Sequence, residues 1–553
     1  IIYLTQGKIY PDYKGIELGI AEKFVARAIS LASGEPVEKI NEMLKKKGDL
    51  GLVAQEILSK KKISGLLEFV NTKEEPLTVI EVYETLDKIA KVSGEGSQDI
   101  KIKLLSGLLK KATPLEAKYI VRTCLATLRL GLADMTLLDA IAIAFLKDKD
   151  YRPLVEKAYN ITSDLGYVAK VALSEGIEGL KNIKIKIGIP IRPMLAERVT
   201  SENEIFERLG SEFIVEYKYD GERVQIHKEK DKFILYSRSL ENITNHYPDL
   251  IEKLKESIKA DNTIIEGEII AINPNTGEML PFQELMHRRR KYEIEKAIEE
   301  FPVVVYLFDI LYLNGEMLID LPLPKRKEFL ESIVEKNYWI RIAEYKIVKS
   351  KEELVNFFNE AISSGCEGIM CKSITKDSIY QAGSRGFLWI KFKRSYQSKM
   401  IEPIDVCIVG GFYGTGKRSG KLGGLLTAIY DPTTDSFKTI CKVGSGFTDY
   451  DLDNLPNILE PYKIQNKHPR VISNIEADIW YMPAKVIEII GDEITLSPLH
   501  TAAYGKIRKD AGLAIRFPRF TGRYRDDKKP EDATTEEEII RMYNLQLKKI
   551  EKE

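Results

Sequence analysis

The chain has 553 residues, 44% of them hydrophobic and 30% charged, with 83 basic and 83 acidic side chains and so no formal net charge. That length supports roughly three or four domains, each with its own core. A neutral balance excludes a global field that draws the protein to a polyanion, so nucleic-acid contact must come from local patches. The longest apolar run, Phe301 to Leu313, is broken by Pro302 and Asp309 and is too short to span a bilayer, so no membrane association is expected. The five cysteines (Cys124, Cys366, Cys371, Cys407, Cys441) are scattered and form no Cys-x-x-Cys. They read as buried small hydrophobes in a reducing compartment, not as a disulfide framework or a zinc site. Abundant Lys and Glu with scarce His suit a hot-growing source or ordinary drift.

The chain opens with Ile1 and not Met, so a natural N-terminal piece is expected to precede it. No secretory signal stands before the first helix-like segment. Residues 1 to about 183 read as all-α. Ser93 to Ser97 is a flexible loop. Thr113-Pro114-Leu115-Glu116 supplies a cap, a first-turn proline and a capping-box glutamate. The helix that follows, Ala117 to Leu130, is expected to end at Gly131, with another from Asp134 to Leu146. At Ile183 to Ile187 the pattern turns to alternation, and Pro190 and Pro193 follow, marking a domain boundary.

From 184 to 393 strands alternate with helices, an α+β domain. Strands are expected at Phe213–Glu216, Val224–Lys228, Phe233–Ser237, Thr263–Ile272, Val303–Leu313, Gly368–Ser373 and Leu388–Phe392. Helices are expected at Tyr247–Ile258, Tyr292–Glu299, Pro324–Lys336 and Lys351–Ser364. The string Glu216-Tyr217-Lys218-Tyr219-Asp220-Gly221-Glu222-Arg223 ends a short strand in an Asp-Gly turn. Lys218, beside a carboxylate and an arginine, is a candidate covalent nucleophile. Its ordinary pKa near 10.4 would need to fall, by burial or neighbouring cations, and three units correspond to about 4 kcal/mol. Arg238 follows twenty residues on. Glu266-Gly267-Glu268 clusters two carboxylates on an apolar strand, which suits ribose or Mg2+. Phe308 lies in a buried strand, as core or as a stacking surface. Glu367 is another strand-edge carboxylate. Alternation puts Lys391 and Lys393 on one face of the last strand, where their repulsion asks for an anion. His287-Arg288-Arg289-Arg290 reads as an exposed basic run.

A connector from Arg394 to Glu402 leads into a strand-rich end, 394–553. Val406–Phe412, Leu425–Asp431, Phe437–Val443 and Val486–Gly491, split by Gly-rich turns, suit a small barrel of the OB type. Gly411 to Lys417 begins like a phosphate-binding P-loop, but Arg418 stands where Ser or Thr is needed and a strand follows. It reads as a basic hairpin whose Lys417, Arg418 and Lys421 could meet DNA phosphates. Lys506 to Lys529 forms a local basic patch. A charged amphipathic helix, Thr534 to Glu553, closes the chain, with Thr535 and Glu538 as a capping box.

The order of these strings resembles motifs I, III, IIIa, IV and V of the covalent nucleotidyltransferases, and of ATP-dependent DNA ligases in particular. Arg516-Phe517-Pro518-Arg519-Phe520 and Arg525-Asp526-Asp527-Lys528 resemble that family's motif VI in its archaeal and eukaryotic replicative branch. Arg129-Leu130-Gly131-Leu132 resembles its N-terminal DNA-binding domain. The resemblance implies three domains (1–183 DNA-binding, 184–393 adenylation, 394–553 OB-fold) and an enzyme of DNA replication, repair and recombination. It implies ATP and Mg2+, with Mn2+ as an alternative, nicked duplex DNA as substrate, and a sliding clamp as candidate partner, although Gln98 opens no convincing clamp peptide. A monomer acting in the cytoplasm at the nucleoid is expected.

The same resemblance assigns roles. Lys218 is the nucleophile, Glu216 meets the adenine amino group, Phe308 stacks on the base, and Arg223 and Glu268 hold the ribose. Arg238 meets the phosphate end of the nick, and Glu268 and Glu367 place the metal. Arg385, Lys391 and Lys393 neutralise the phosphates. Arg519, Arg525, Asp527 and Lys528 orient pyrophosphate when the barrel closes over the site on its connector. Two other readings are an RNA ligase or capping guanylyltransferase, which the helical block and the Arg516–Thr534 string oppose, and a dead DNA-binding scaffold, which the intact Lys218, Glu268, Lys391 and Lys393 oppose.

Overall fold

The computed structural model describes residues 1–60, 76–130, 134–273, 279–280, 282–289, 294–393, 403–414 and 422–548. The chain divides into two compact units, one of 1–18 with 130–396, the other of 19–129 with 397–553.

In the first unit, helices Asp134–Leu146, Arg152–Thr162 and Leu165–Lys181 bury Leu138, Ile141, Val155 and Val168 against one another. Asp164 caps the third helix by accepting from Tyr167 N at 2.9 Å. The compositional break near Ile183 lies inside this unit. The backbone explains why. Arg192 N donates to Asn160 O at 2.8 Å, Ser163 Oγ to Pro190 O at 2.6 Å, and Gly383 N to Arg192 O at 3.0 Å, so the helices and the strands beyond them are stitched together.

The strands that follow are β1 (Leu195–Arg198), β2 (Phe213–Lys218), β3 (Glu222–Glu229), β4 (Lys232–Ser237), β5 (Asn262–Ala271), β6 (Val303–Leu313), β7 (Glu316–Met317), β8 (Ile340–Ile342), β9 (Tyr345–Val348), β10 (Gly368–Lys372) and β11 (Arg385–Lys393). They form two sheets. One has the order β1-β11-β10-β2-β9, antiparallel except for the β1–β11 pair. The other has the order β4-β3-β5-β6-β7, with β8 parallel to β6. Phe213, Val215, Ile369, Cys371, Ile390 and Phe392 of the first sheet share a core with Ile270, Val304 and Tyr306 of the second and with helix Lys351–Ser363. The far side of the second sheet packs on helices Pro248–Ser257 and Leu323–Ile333.

In the second unit, the described residues of 19–129 are largely helical. Thr113 and Glu116 form the expected capping box, with Glu116 Oε2 accepting from Thr113 N at 2.8 Å. The helix it starts runs Pro114–Cys124 and does not reach Leu130. The chain instead turns, with Arg129 at φ +52°, so that Arg129 and Arg122 both reach the buried Asp49, at 2.9 and 2.8 Å. A tertiary ion pair overrides the apolar periodicity there.

The barrel sheet is built from β12 (Ile404–Tyr413), β13 (Leu422–Asp431), β14 (Ser436–Val443), β15 (Lys463–Ile464), β16 (Val471–Ile472), β17 (Ile479–Tyr481), β18 (Val486–Ile490) and β21 (Arg519–Tyr524), while β19 (Glu493–Ser497) and β20 (Gly512–Arg516) pair with each other in a two-stranded sheet. The antiparallel run β12-β13-β14 continues from β12 to β17 and β18, and from β18 to β21. This bears out the OB-type expectation. The closing helix spans Glu536–Lys548 with the expected Thr535–Glu538 box, and its buried Glu536 accepts from Ala503 N at 2.6 Å and Lys438 Nζ at 2.9 Å. All five cysteines are buried free thiols. Among the described residues no helix is long and apolar enough to cross a membrane.

Candidate functional site

Lys218 ends β2 in one sheet and Glu222 begins β3 in the other, so the four residues Lys218–Gly221 carry the chain between sheets. Each is pinned. Tyr219 stacks on Tyr306 with ring centroids 4.0 Å apart, and its hydroxyl accepts from Glu344 N. Asp220 Oδ2 accepts from Phe282 N at 3.2 Å. A Cβ on Gly221 would stand 2.2 Å from Ile269 O and 3.0 Å from Glu268 Cγ, so only glycine lets the turn approach β5.

Sheet register sets what Lys218 faces. Lys218, Gly368 and Lys393 lie side by side on β2, β10 and β11, followed by the row Glu216, Met370, Lys391 and the row Ile214, Lys372, Trp389. Residues directly opposite share a face, so Lys391 and Lys393 do point the same way, beside Lys218. Gly368, at φ +151°, permits the tight join; a Cβ there would lie 2.2 Å from Phe392 O.

Glu367 Oε2 stands 2.5 Å from Lys218 Nζ and 2.7 Å from Lys393 Nζ. Burial by itself would lower the Lys218 pKa, but Glu367 and Glu268 outweigh it and the shift is upward. This corrects the expectation of a lowered pKa: carboxylates, not cations, are the nearest charges, and they hold the amine as an ammonium. Lys391 is lowered instead, by burial and by Arg385, Lys393, Lys218 and Arg238. These cations form a basic wall for an anion.

Asp220 and Glu268 complete an acidic group around the same amine. Burial, helped by Glu367 and Asp220, lifts Glu268 to about 7. Burial and Glu367 also raise Asp220, which shares a hydrogen bond with Glu367. Among the described residues no cluster of three or more His, Cys, Asp or Glu side chains has the spacing of a preformed metal site. Glu268 and Asp220, whose ionisation burial resists, stand with Glu367, which Lys218 and Lys393 hold ionised, and such a group of hard carboxylate oxygens is the donor chemistry that fits Mg2+.

Away from Lys218 the surroundings change character. Glu216 is 2% exposed and forms ion pairs with two lysines, Lys327 Nζ and Lys372 Nζ, each at 2.5 Å. Burial opposes its charge, but the two lysines win and its pKa is lowered. Lys372 also lies over the rings of Phe308 and Trp389, at 4.7 and 4.3 Å. Arg223 sits opposite Glu268 in the ladder, yet its side chain donates to Glu266 Oε2 and Met194 O, both at 2.7 Å. The two acids of Glu266-Gly267-Glu268 thus divide: Glu266 holds Arg223 and Tyr380, and Glu268 faces Lys218.

Phe308 occupies a β-bulge. The register jumps from Glu266↔Asp309 to Gly267↔Leu307, leaving Phe308 without a ladder partner and half-buried inside an otherwise buried stretch of β6. Bulges re-aim side chains beside sites. The next residue, Asp309, is fully buried in a two-pronged pair with Arg326, at 2.8 and 3.0 Å.

Arg238 is exposed at the rim of a cavity of about 250 Å³ lined by Asp12, Arg192, Leu195 and Gly383. Arg385 is exposed on β11. In the barrel unit, Arg525 Nη1 and Lys528 Nζ converge on Asp405, at 2.9 and 2.6 Å, Asp527 pairs with Arg525 at 2.8 Å, and the exposed Arg519 reaches Asp492 at 3.4 Å. Lys417, Arg418, Lys421 and the Arg394–Glu402 connector lie outside the described residues. The run His287–Arg289 is not the exposed patch expected. Arg288 is 1% exposed, pairs with Asp249 and donates to Phe301 O at 3.0 Å, while Arg289 pairs with Glu222. Those acids are remote in sequence, so the run reads as surface until the fold supplies them.

Sequence reasoning also passed over Asp220, Lys327, Lys372 and Tyr380. Lys372 was reachable, since alternation along β10 puts it on the face of Met370. Nothing local marks Lys327.

Residues 1–142 match the family described as DNA ligase N terminus, residues 193–393 the ATP dependent DNA ligase domain, and residues 418–528 the ATP dependent DNA ligase C terminal region. Over 551 residues the chain is 57% identical to DNA ligase 2 of Thermofilum pendens, an alignment spanning 99% of this chain and 91% of that protein. It is 53% identical to the DNA ligase of Saccharolobus solfataricus, across 99% and 92%. Among solved structures, Pmar-Lig_PreS3 shares the fold with a TM-score of 0.51 at 19% identity, across 88% of this chain and 99% of that one.

Proposed function

The chain belongs to the ATP-dependent DNA ligase family, and from that premise we propose how its own residues seal a nick in duplex DNA. The observation that carries the reading is Lys218 at the crossover between two sheets, ringed by Glu367, Lys393 and Glu268.

Lys218 gives its ammonium proton to water, the freed Nζ lone pair attacks the α-phosphorus of ATP, a phosphorus–nitrogen bond forms as the bond to pyrophosphate breaks, and a second proton leaves the nitrogen to water. AMP then passes to the 5′-phosphate of the nick, regenerating the amine. The 3′-hydroxyl attacks that activated phosphate, closes the phosphodiester and expels AMP. Lys391, Lys393 and Arg385 supply positive charge where the phosphates lie. Arg238, on its exposed rim, takes the 5′-phosphate of the nick. Glu216 and Phe308 take the base, and Arg223 and Glu268 the ribose.

Glu268 and Glu367 would hold Mg2+, which when bound neutralises the two carboxylates that keep Lys218 protonated and shares the charge of the phosphates. Arg519, Arg525, Asp527 and Lys528 orient pyrophosphate in the first step. Lys417, Arg418 and Lys421 contact DNA phosphates. The reading takes 1–183, 184–393 and 394–553 as the functional domains of a monomer working at the nucleoid, with a sliding clamp as candidate partner.

Labelled ATP tests it. Wild-type protein retains label as a lysyl-AMP adduct, whereas Lys218→Ala retains none and seals no ATP-driven nick. Label on the variant would overturn the assignment.

A further inference from the structure

Two consecutive residues of helix Leu323–Ile333 are buried cations that reach the base end of the site from outside every motif named above. Arg326, fully buried, grips Asp309 with two hydrogen bonds and donates to Ser378 O at 3.1 Å, fixing the backbone just after the Phe308 bulge. Lys327, 3% exposed, pairs with Glu216 Oε1 at 2.5 Å and lies 4.3 Å from the centre of the Tyr345 ring. One turn of one helix therefore braces both the ring expected to stack on the base and the carboxylate expected to read it.

The charge count is informative. Glu216 has two ammoniums, Lys327 and Lys372, where one would neutralise it. Each buried charge costs free energy unless paired. The second lysine does more than neutralise. With a cation on each oxygen, Glu216 stays ionised and fixed, and an ionised carboxylate is an acceptor only. Its remaining lone pairs can meet a donor. A purine with an amino group at position 6 offers one, whereas a 6-oxo purine offers an acceptor and is repelled.

We propose that Lys327 is a positioning residue that locks Glu216 as a fixed anionic acceptor and so makes the nucleotide site selective for 6-aminopurines. The proposal rests on the reading of Lys218 as the adenylated residue and deepens it.

The test compares lysyl-nucleotide formation from ATP, purine riboside triphosphate (no 6-substituent) and inosine triphosphate (6-oxo), in wild type, Lys327→Met and Lys327→Arg. Lys327→Met keeps the Glu216–Lys372 pair balanced one to one, and its thermal midpoint is measured alongside. The preference for ATP over purine riboside triphosphate falls roughly 10- to 100-fold in Lys327→Met, the worth of a charged hydrogen bond. The loss lies in KM, with kcat at saturating ATP nearly unchanged, and Lys327→Arg restores most of the preference. A methionine variant that folds and keeps wild-type selectivity overturns the proposal. So does a loss spread equally over all three nucleotides, which marks a structural role alone. If wild-type protein forms no adduct on Lys218 with any nucleotide, the underlying reading fails instead.

Discussion

His227 shows how a single side chain ties the site to the protein's tolerance of acid. It is fully buried on β3. Its Nδ1 accepts from Gly188 N at 3.0 Å and its Nε2 faces Gln225 Oε1 at 2.9 Å, which fixes the neutral tautomer with the proton on Nε2. Gln225 in turn holds Ile191 through its N and O, so the pair anchors the connector that delivers Met194 O to Arg223. Burial drives the His227 pKa down to about 3, whereas in an unfolded chain it is near 6.5. Between those values the unfolded state binds the proton and the folded state does not, so stability rises with pH. It is lost as pH falls from about 6.5 toward 3, by an amount on the order of a few kcal/mol. Thermal midpoints measured from pH 7.5 to 4.5 should drop for wild type, and more shallowly for His227→Gln. Parallel curves would show that His227 does not carry the effect.

At the scale of elements, the strand Arg519–Tyr524 and the turn after it serve two ends. Arg525 and Lys528 both close on Asp405, the second residue of β12, while motif VI is expected to serve the first chemical step. Arg525→Ala leaves Lys528 on Asp405, so the barrel should stay folded. Adenylation of Lys218 should fall by at least about tenfold, as for loss of one charge-neutralising group, with joining of a chemically pre-adenylated nick preserved. Equal losses in both assays would refute that division of labour. The elements themselves were largely legible. β2, β5 and β6 announce themselves as apolar runs and β11 by alternation, and the Asp-Gly turn marked the end of β2. The short strands β1, β8 and β9 escaped, since three or four residues carry too little periodicity to stand out, and the eight-residue helix Glu202–Leu209 behind its Ser201 cap was missed as well. The buried cations Arg288, Arg326, Lys327 and Lys372 escaped for another reason. A basic residue reads as surface unless its partner is known, and Asp249, Asp309 and Glu216 come from distant strands or helices. The fate of Lys218's proton was misjudged on the same ground: the sequence shows the lysine but not the ring of acids the fold closes around it.

For the molecule as a whole, zero net charge makes a specific demand on DNA binding. Without a global field, affinity for nicked duplex must come from local phosphate contacts and should fall linearly on a plot of log K against log salt, with a slope steeper than about −3. Lysyl-AMP formation measured across the same salt series should change far less; a flat DNA plot would remove the local-patch account. One further trait spans both units. All five thiols are buried, and burial pushes Cys124, Cys366 and Cys441 up to about 12, with Cys371 and Cys407 raised as well. Almost no thiolate exists near neutrality, so maleimides and mild oxidants find nothing to react with. The native protein is in effect a silent background for spectroscopy: a single cysteine engineered onto the surface would take up a fluorophore or spin label alone, and distances between the two units could be followed through a catalytic cycle without first stripping out the natural sulfurs.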